Sequence, residues 1–158
     1  MNNTVILRAV IESDLPIFFE QQRDPAANHM AAFTSRDPND RDAFMAHWTR
    51  ILGDEANITR TIVAGGEVAG NIASFLMEGE REVGYWLGKP YWGRGIASAA
   101  LRAFLGEITL RPLHARAAKD NAASLRVLQK CGFSITGEGS GYAEARHAET
   151  EEYILTLR

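Results

Sequence analysis

Residues 82–101 read EVGYWLGKPYWGRGIASAAL. Glu82 to Leu87 are rich in strand formers and read as a β-strand. Residues 88–95 then hold Gly88, Gly93, Gly95 and Pro90, a loop composition. From Ile96 to Ile108 the chain is rich in alanine, with Leu101, Phe104, Leu105 and Ile108 at helical spacing. Glycines 93 and 95 therefore place backbone without side chains just ahead of a helix. The first N–H groups of a helix have no partner inside it, and its dipole is positive there. Such an end receives anions, phosphate most naturally. Arg94, Lys89 and Arg102 add charge nearby. The same residues also suit a tight turn that only packs a helix, and local chemistry leaves both readings open. The GK[ST] ending of a Walker loop is absent, and the spacing is not that of the dinucleotide G-x-G-x-x-G.

Downstream, Leu113 to Ala118 reads as a strand, followed by AKDNAASLRVLQKCGF, residues 118–133. Ala122 to Cys131 reads as a helix with Leu125, Leu128 and Cys131 inward, capped by Gly132. Asn121 stands where an amide either caps this helix or binds a ligand amide, and Ser124 falls in its first turn. Phe133 to Thr136 reads as a short strand, polar residues 137–150 as a loop, and Tyr153 to Leu157 as the last strand.

Upstream, Thr4 to Val10 reads as a strand. Leu15, Phe18 and Phe19 then mark a helix that Asp24-Pro25 stops. Residues 24–36 have no apolar period and read as a loop or broken helix. Residues 37–40 open a helix with Phe44, Trp48, Ile51 and Leu52 on one face. Ile58 to Ala64 and Val68 to Met77 read as strands joined at Gly65-Gly66, and Gly79-Glu80 turns into the 82–87 strand. The order β-α-α-β-β-β-α-β-α-β-β predicts an α+β fold: a mixed, mostly antiparallel β-sheet with flanking helices.

With 158 residues, the chain is expected to form a single domain over 1–158. It is 46% hydrophobic and 23% charged, values of a soluble globular protein. Its 20 acidic residues exceed 17 basic ones, a net −3 that argues against general binding to nucleic acid or an anionic membrane. One cysteine, Cys131, leaves no internal disulfide and fits a reducing, cytoplasmic setting. No apolar run is long enough to span a bilayer, and no His/Cys/Asp cluster has metal-ligand spacing, so neither membrane nor metal is expected.

EVGYWLGKPYWGRGIASAAL followed by DNAASLRVLQKCGF resembles the GNAT N-acetyltransferase superfamily, in particular the branch of ribosomal-protein N-terminal acetyltransferases. The superfamily's pyrophosphate loop, Gln/Arg-x-x-Gly-x-Gly/Ala, matches Trp92, Gly93, Arg94, Gly95, Ile96 and Ala97. Trp92 replaces the usual Gln or Arg, a departure familiar in this branch. The resemblance covers residues 80–137 strongly and 1–79 in element order.

The resemblance implies a sheet split between parallel strands 82–87 and 113–118, with acetyl-CoA in the gap. Pantetheine would run along Tyr85, Trp86 and Leu87, beside Trp92. Pyrophosphate would meet the N–H groups of residues 93 to 98: Gly93, Arg94, Gly95, Ile96, Ala97 and Ser98. Asn121 and Ser124 would contact the pantetheine arm, and Arg126 or Lys130 the 3′-phosphate end. Acetyl would pass to a primary amine on a small molecule or a peptide N-terminus. The alternative is a non-catalytic acyl-CoA-binding module that senses or regulates. Homodimers are common in the superfamily, and residues 137–150 with the last strand are the candidate interface.

Such a transfer needs a base for the amine proton and a donor for the oxyanion, here a strand N–H near Leu87. Glu82 is the expected base, with His29 second. His47, His114 and His147 read as packing, locally bonded or unplaced residues. The tyrosine that serves many members as acid falls at Leu128. Ser124 is the expected substitute, unless the thiolate leaves unaided.

Overall fold

The computed structural model describes residues 4–158; residues 1–3 of the expected domain lie outside the described residues. In chain order the elements are β1 (Val5–Arg8), α1 (Leu15–Gln21), α2 (Pro25–Ala31), α3 (Arg41–Gly53), β2 (Ile58–Ala64), β3 (Glu67–Met77), β4 (Glu80–Leu87), α4 (Ile96–Glu107), β5 (Leu113–Ala118), α5 (Ala122–Lys130), β6 (Ser134–Ala143) and β7 (Ala148–Leu157). Short 3-10 turns lie at Glu12–Asp14 and Lys89–Tyr91. The sheet has seven strands in the order β1-β2-β3-β4-β5-β7-β6. Every neighbouring pair is antiparallel except β4 and β5.

Alternation along the strands sends one set of side chains to each face. On one face Ile62, Ile72, Val83, Leu87, Leu113, Ala115 and Leu155 meet Ile96, Leu101 and Phe104 of α4 and Leu128 of α5. Leu101 and Phe104 are wholly buried; each is worth roughly 2 kcal/mol of removed apolar surface. On the other face Leu15, Phe18 and Trp48 form a second cluster with Phe44, Ile51 and Val68. Helices α1 to α3 pack there, and α4 and α5 on the first face.

The parallel strands β4 and β5 pair at Glu82 opposite His114. Beyond that point they diverge, as the expected split requires. β3 holds β4 in place: Gly70 is opposite Leu87, and a β-carbon at Gly70 would overlap the Trp86 carbonyl oxygen.

Two expectations are corrected. Residues 137–150 are not a loop but most of the β6–β7 hairpin. Gly137, Gly139 and Gly141 alternate along β6, backed by Ile154, Glu152 and Phe33. An edge strand whose glycines are covered by other residues' side chains carries no apolar period of its own. Of residues 24–36, read as a loop or a broken helix, 25–31 form a regular short helix and only the remainder is irregular. Asp24 caps the helix by accepting from Ala27 N–H at 3.0 Å, and Pro25 occupies its first turn.

Candidate active site

Where β4 and β5 diverge, a cleft of about 700 Å³ opens between them and the N-terminal ends of α4 and α5. β4 contributes Val83 to Leu87, β5 contributes Ala115 to Ala118, and α2 closes one side with Ala27, Met30 and Ala31. With no β5 residue opposite it past Glu82, the backbone of Val83 to Leu87 presents a strand edge to this space.

The glycine loop forms the far wall. Gly93 (φ 72°) and Gly95 (φ 75°) are in the left-handed region, which costs a side-chain-bearing residue more than glycine. Gly95 is the N-cap of α4, and no side chain caps that end. The N–H groups of the first turn of α4 therefore remain directed at the cleft, lined here by Gly93, Gly95, Ile96, Ala97 and Ser98. Trp92 also lines it, its indole donating to the Leu87 carbonyl at 2.9 Å. Arg94 does not line the cleft. Its guanidinium lies 5.8 Å from the centre of the Tyr91 ring and donates from Nη1 to the Pro90 carbonyl at 3.4 Å. Arg126 and Lys130 of α5 do line it, whereas Lys89 faces Asp24 at 3.9 Å.

Asn121 takes the capping role at its position. Its Oδ1 accepts from Ser124 N–H at 3.2 Å and so caps α5, while Nδ2 donates to the Met30 carbonyl at 3.3 Å. Ser124 lines the cleft opposite Tyr85, and the two hydroxyls interact. Burial pushes the Tyr85 phenol up from its ordinary value, and the Ser124 hydroxyl pulls against that. Leu128 is buried at the cleft wall and offers no hydroxyl; those lining the cleft belong to Tyr85, Tyr91, Ser98 and Ser124. Cys131 is half-buried, and burial pushes its thiol up, so it stays protonated at neutral pH.

On the opposite sheet face Glu82 is 3% exposed. Arg116 lies beside it, Nε at 3.7 Å, and is itself held by Glu152 at 2.9 Å. Burial pushes the Glu82 carboxyl up; Arg116 and His114 oppose this, and Glu80 and Glu152 add to it. Arg116 lines the cleft and Glu82 sits directly behind it. The histidines divide. His114 Nδ1 bonds Thr156 at 3.1 Å and its Nε2 is 3.5 Å from Glu80. His29 is exposed on α2, where Met30 takes the cleft position instead. His47 is exposed on α3, and His147 holds the β6–β7 turn with φ 50°. Among the described residues no three His, Cys, Asp or Glu side chains gather as a metal site, and no helix is long and apolar enough to cross a membrane.

Sequence reasoning passed over Ala27, Met30 and Arg116. Arg116 carried a signal, a lone charge in an otherwise apolar strand; the α2 residues carried none without the tertiary fold.

Comparison with known proteins places this geometry. Residues 4–134 match the model of the acetyltransferase (GNAT) domain family. The chain is 27% identical over 127 residues to "Putative ribosomal N-acetyltransferase YdaF" of Bacillus subtilis (strain 168), covering 75% of this chain and 69% of that one. It is 28% identical over 83 residues to "Uncharacterized N-acetyltransferase p20" of Bacillus licheniformis, 50% of this chain and 47% of that one. The match thus spans about half of p20 and a larger share of YdaF. The crystal structure of spermidine N-acetyltransferase from Vibrio cholerae, in complex with CoA and spermine, superposes with a TM-score of 0.79 at 14% identity. It covers 97% of this chain and 94% of that one, a likeness of fold.

Proposed function

The chain belongs to the acetyltransferase (GNAT) family, and from that premise we propose that it transfers the acetyl group of acetyl-CoA to a primary amine by direct attack in a ternary complex. The acceptor is a small molecule or a peptide or protein N-terminus, and residues 1–158 act as one domain. The observation that carries this reading is the uncapped N-terminus of α4, reached through Gly93 and Gly95, at the wall of a cleft between diverging parallel strands. A pyrophosphate fits the first, and an extended pantetheine arm fits the edge of β4.

The assignments follow from placement. N–H groups from Gly93 through Arg94, Gly95, Ile96, Ala97 and Ser98 hold the pyrophosphate. The backbone of Tyr85, Trp86 and Leu87 lines the arm, Trp92 fixes the wall, and Asn121 and Ser124 approach from α5. Attack of the amine nitrogen on the thioester carbon places negative charge on the carbonyl oxygen, which a β4 N–H near Leu87 receives. Collapse breaks the C–S bond; the sulfur takes its proton from Ser124, backed by the Tyr85 phenol, and the serine oxygen regains one from the nitrogen, which sheds its second proton as the amide forms. Glu82 accepts the proton of the incoming ammonium, relayed past Arg116 through water. Its raised carboxyl suits it to that task near neutral pH.

Glu80, Glu82 and Glu152 outnumber Arg116 on the acceptor face, which favours a cationic amine. YdaF is named for a ribosomal acceptor, and the Vibrio cholerae enzyme is named for spermidine and holds spermine; both kinds of amine belong among those to try. A homodimer is supported by β6, an edge strand that exposes Ile135 and Tyr142. A cytoplasmic setting is supported by Cys131, a single free cysteine.

The test is release of CoA thiol from acetyl-CoA in the presence of spermidine, simple diamines, amino acids and peptides starting with alanine, serine or methionine. Amine-dependent release establishes the reaction. Tight acetyl-CoA binding with no release across the panel favours the non-catalytic module.

A further inference from the structure

Helix α2 lines one side of the cleft through Ala27, Met30 and Ala31; Asn28 ties its start to the Gln22 carbonyl at 2.6 Å, but its C-terminal end depends on other segments. Its last carbonyls have no partner inside the helix. It ends at Ala32, a wholly buried alanine with φ 66°, a conformation that disfavours any side chain. The Ala31 and Ala32 carbonyls accept locally from the Phe33 and Thr34 N–H groups at 2.7 and 3.1 Å, but the His29 and Met30 carbonyls are met from far along the chain. Arg146, in the turn between β6 and β7, donates from Nε to the His29 carbonyl at 2.8 Å and from Nη2 to the Met30 carbonyl at 3.5 Å. The neighbouring Ala145 N–H donates to the Ala32 carbonyl at 3.3 Å. The same guanidinium grips Asp120 through two bonds, Nη1 to Oδ2 at 2.7 Å and Nη2 to Oδ1 at 2.9 Å. Asp120 precedes Asn121, which caps α5 and donates to the Met30 carbonyl from the other side. Beneath these bonds only Ala32, Ala118 and Ala143 pack together, three small side chains with little apolar area to offer.

We propose that Arg146 is a positioning residue for the acceptor: it locks the C-terminal end of α2 to the Asp120–Asn121 turn and so sets the acceptor wall against the cofactor wall. One guanidinium joins three segments that the sequence keeps far apart; its own side chain is 13% exposed, while the Asp120 carboxylate it grips is 65% exposed. Hydrogen bonds to the Arg146 guanidinium hold the Asp120 carboxyl below its ordinary range. Arg146 does not line the cleft and touches no reacting atom; it acts through α2. The inference rests on the proposed function and adds to it that the acceptor meets the α2 side of the cleft.

The test uses the full chain, wild type and Arg146→Met. Hydrogen exchange in the free protein reads α2 directly. Amides of Asn28 to Phe33 exchange about ten-fold faster or more in the variant, while those of α4 are unchanged. Acetyl-CoA affinity by calorimetry stays within about two-fold. With spermidine, and with an alanine-initiated hexapeptide, KM for the amine rises about ten-fold while kcat changes little. Arg146→Lys reaches one oxygen at a time and recovers only part of the protection. Asp120→Ala, which leaves Arg146 in place, gives a smaller effect of the same kind and serves if Arg146→Met fails to fold. Equal exchange over α2 in both proteins overturns the proposal, as does a fall in kcat at unchanged KM. If wild type binds no acetyl-CoA or acetylates neither amine, the proposed function fails instead, and the exchange result still judges the lock.

Discussion

Glu82 and His114 stand opposite each other where β4 and β5 pair, and the cleft begins at the next residue. That single register point sets both the proposed base and the proposed cofactor edge. Val83 to Leu87 lie past it with an open edge, and Glu82 lies at it, buried on the far face. The pairing point thus divides the molecule's polar chemistry into two faces joined through the split.

Replacing Glu82 tests the base. Glu82→Gln keeps the shape and removes the proton acceptor. The expected result is a fall in kcat of roughly 10²-fold or more with acetyl-CoA affinity unchanged. Burial, the largest influence, raises the Glu82 carboxyl above its ordinary 4.5. The acid limb of the wild-type pH profile therefore lies above that value, with activity rising as pH rises, and the limb flattens in Glu82→Gln. The stability effect runs the other way. A carboxyl raised in the folded state favours folding at low pH, and that contribution is lost as pH rises through the raised value.

The Ser124 hydroxyl is a weaker contributor, because a thiolate leaves fairly well by itself. Ser124→Ala is expected to lower kcat about ten-fold at unchanged amine KM, with Tyr85→Phe having a smaller effect in the same direction. Equal rates for Ser124→Ala and wild type across the pH range would remove the serine from the mechanism.

Gly70 is a test of the frame rather than the chemistry. A methyl there would overlap the Trp86 carbonyl oxygen, on backbone that cannot swing away. Gly70→Ala is expected to cost about 3 kcal/mol by urea denaturation, a drop of roughly 10 °C in Tm. A Tm within a degree of wild type would show that β3 and β4 do not meet so closely.

Asp14 supplies a pH-dependent anchor for the N-terminal segment. Its carboxylate accepts from Arg8 at 2.7 and 2.9 Å, from Ile11 N–H at 3.0 Å and from the Thr61 hydroxyl at 2.7 Å. Burial pushes the carboxyl up, but these donors outweigh it and hold it at about 2, against an ordinary 3.8. Its folded value is depressed, so its stabilisation is present above pH 4 and is lost as pH falls from about 4 to about 2. The contribution is about 2 kcal/mol. Asp14→Asn should lose it at pH 7 and flatten stability across that acid window; an unchanged acid profile would contradict the assignment.

The meander and the strand–glycine–helix step were legible in the sequence because each has a local signature, whereas the parallel pair was expected from the family resemblance. Gly65-Gly66 turns a hairpin, Gly93 and Gly95 precede an alanine-rich helix, and Asn121 precedes another. β6 was not legible: Gly137, Gly139 and Gly141 owe their place to Ile154, Glu152 and Phe33, which no local window contains. The seven residues of α2 were hidden for the same reason. Their helix is finished by Arg146 and Ala145, more than a hundred residues on. Cofactor-side residues lie in two short runs and could be named one by one. The proposed acceptor side is assembled from α2, β4, β5 and the β6–β7 turn, so the sequence offered only Glu82 and, second, His29, which is exposed on α2.

The central claim is that the α4 N-terminus and its glycines hold acetyl-CoA. The most direct measurement is a thermal-shift titration of wild type and Gly95→Trp with acetyl-CoA, CoA and ATP, each protein read against its own ligand-free Tm. A ligand at a hundred times its Kd adds about 2.7 kcal/mol to native stability, a rise of several degrees for a chain of this length. The expected result is that rise with acetyl-CoA and CoA in wild type, none with ATP, and none with any of the three in Gly95→Trp. An unchanged wild-type Tm at millimolar acetyl-CoA would contradict the account.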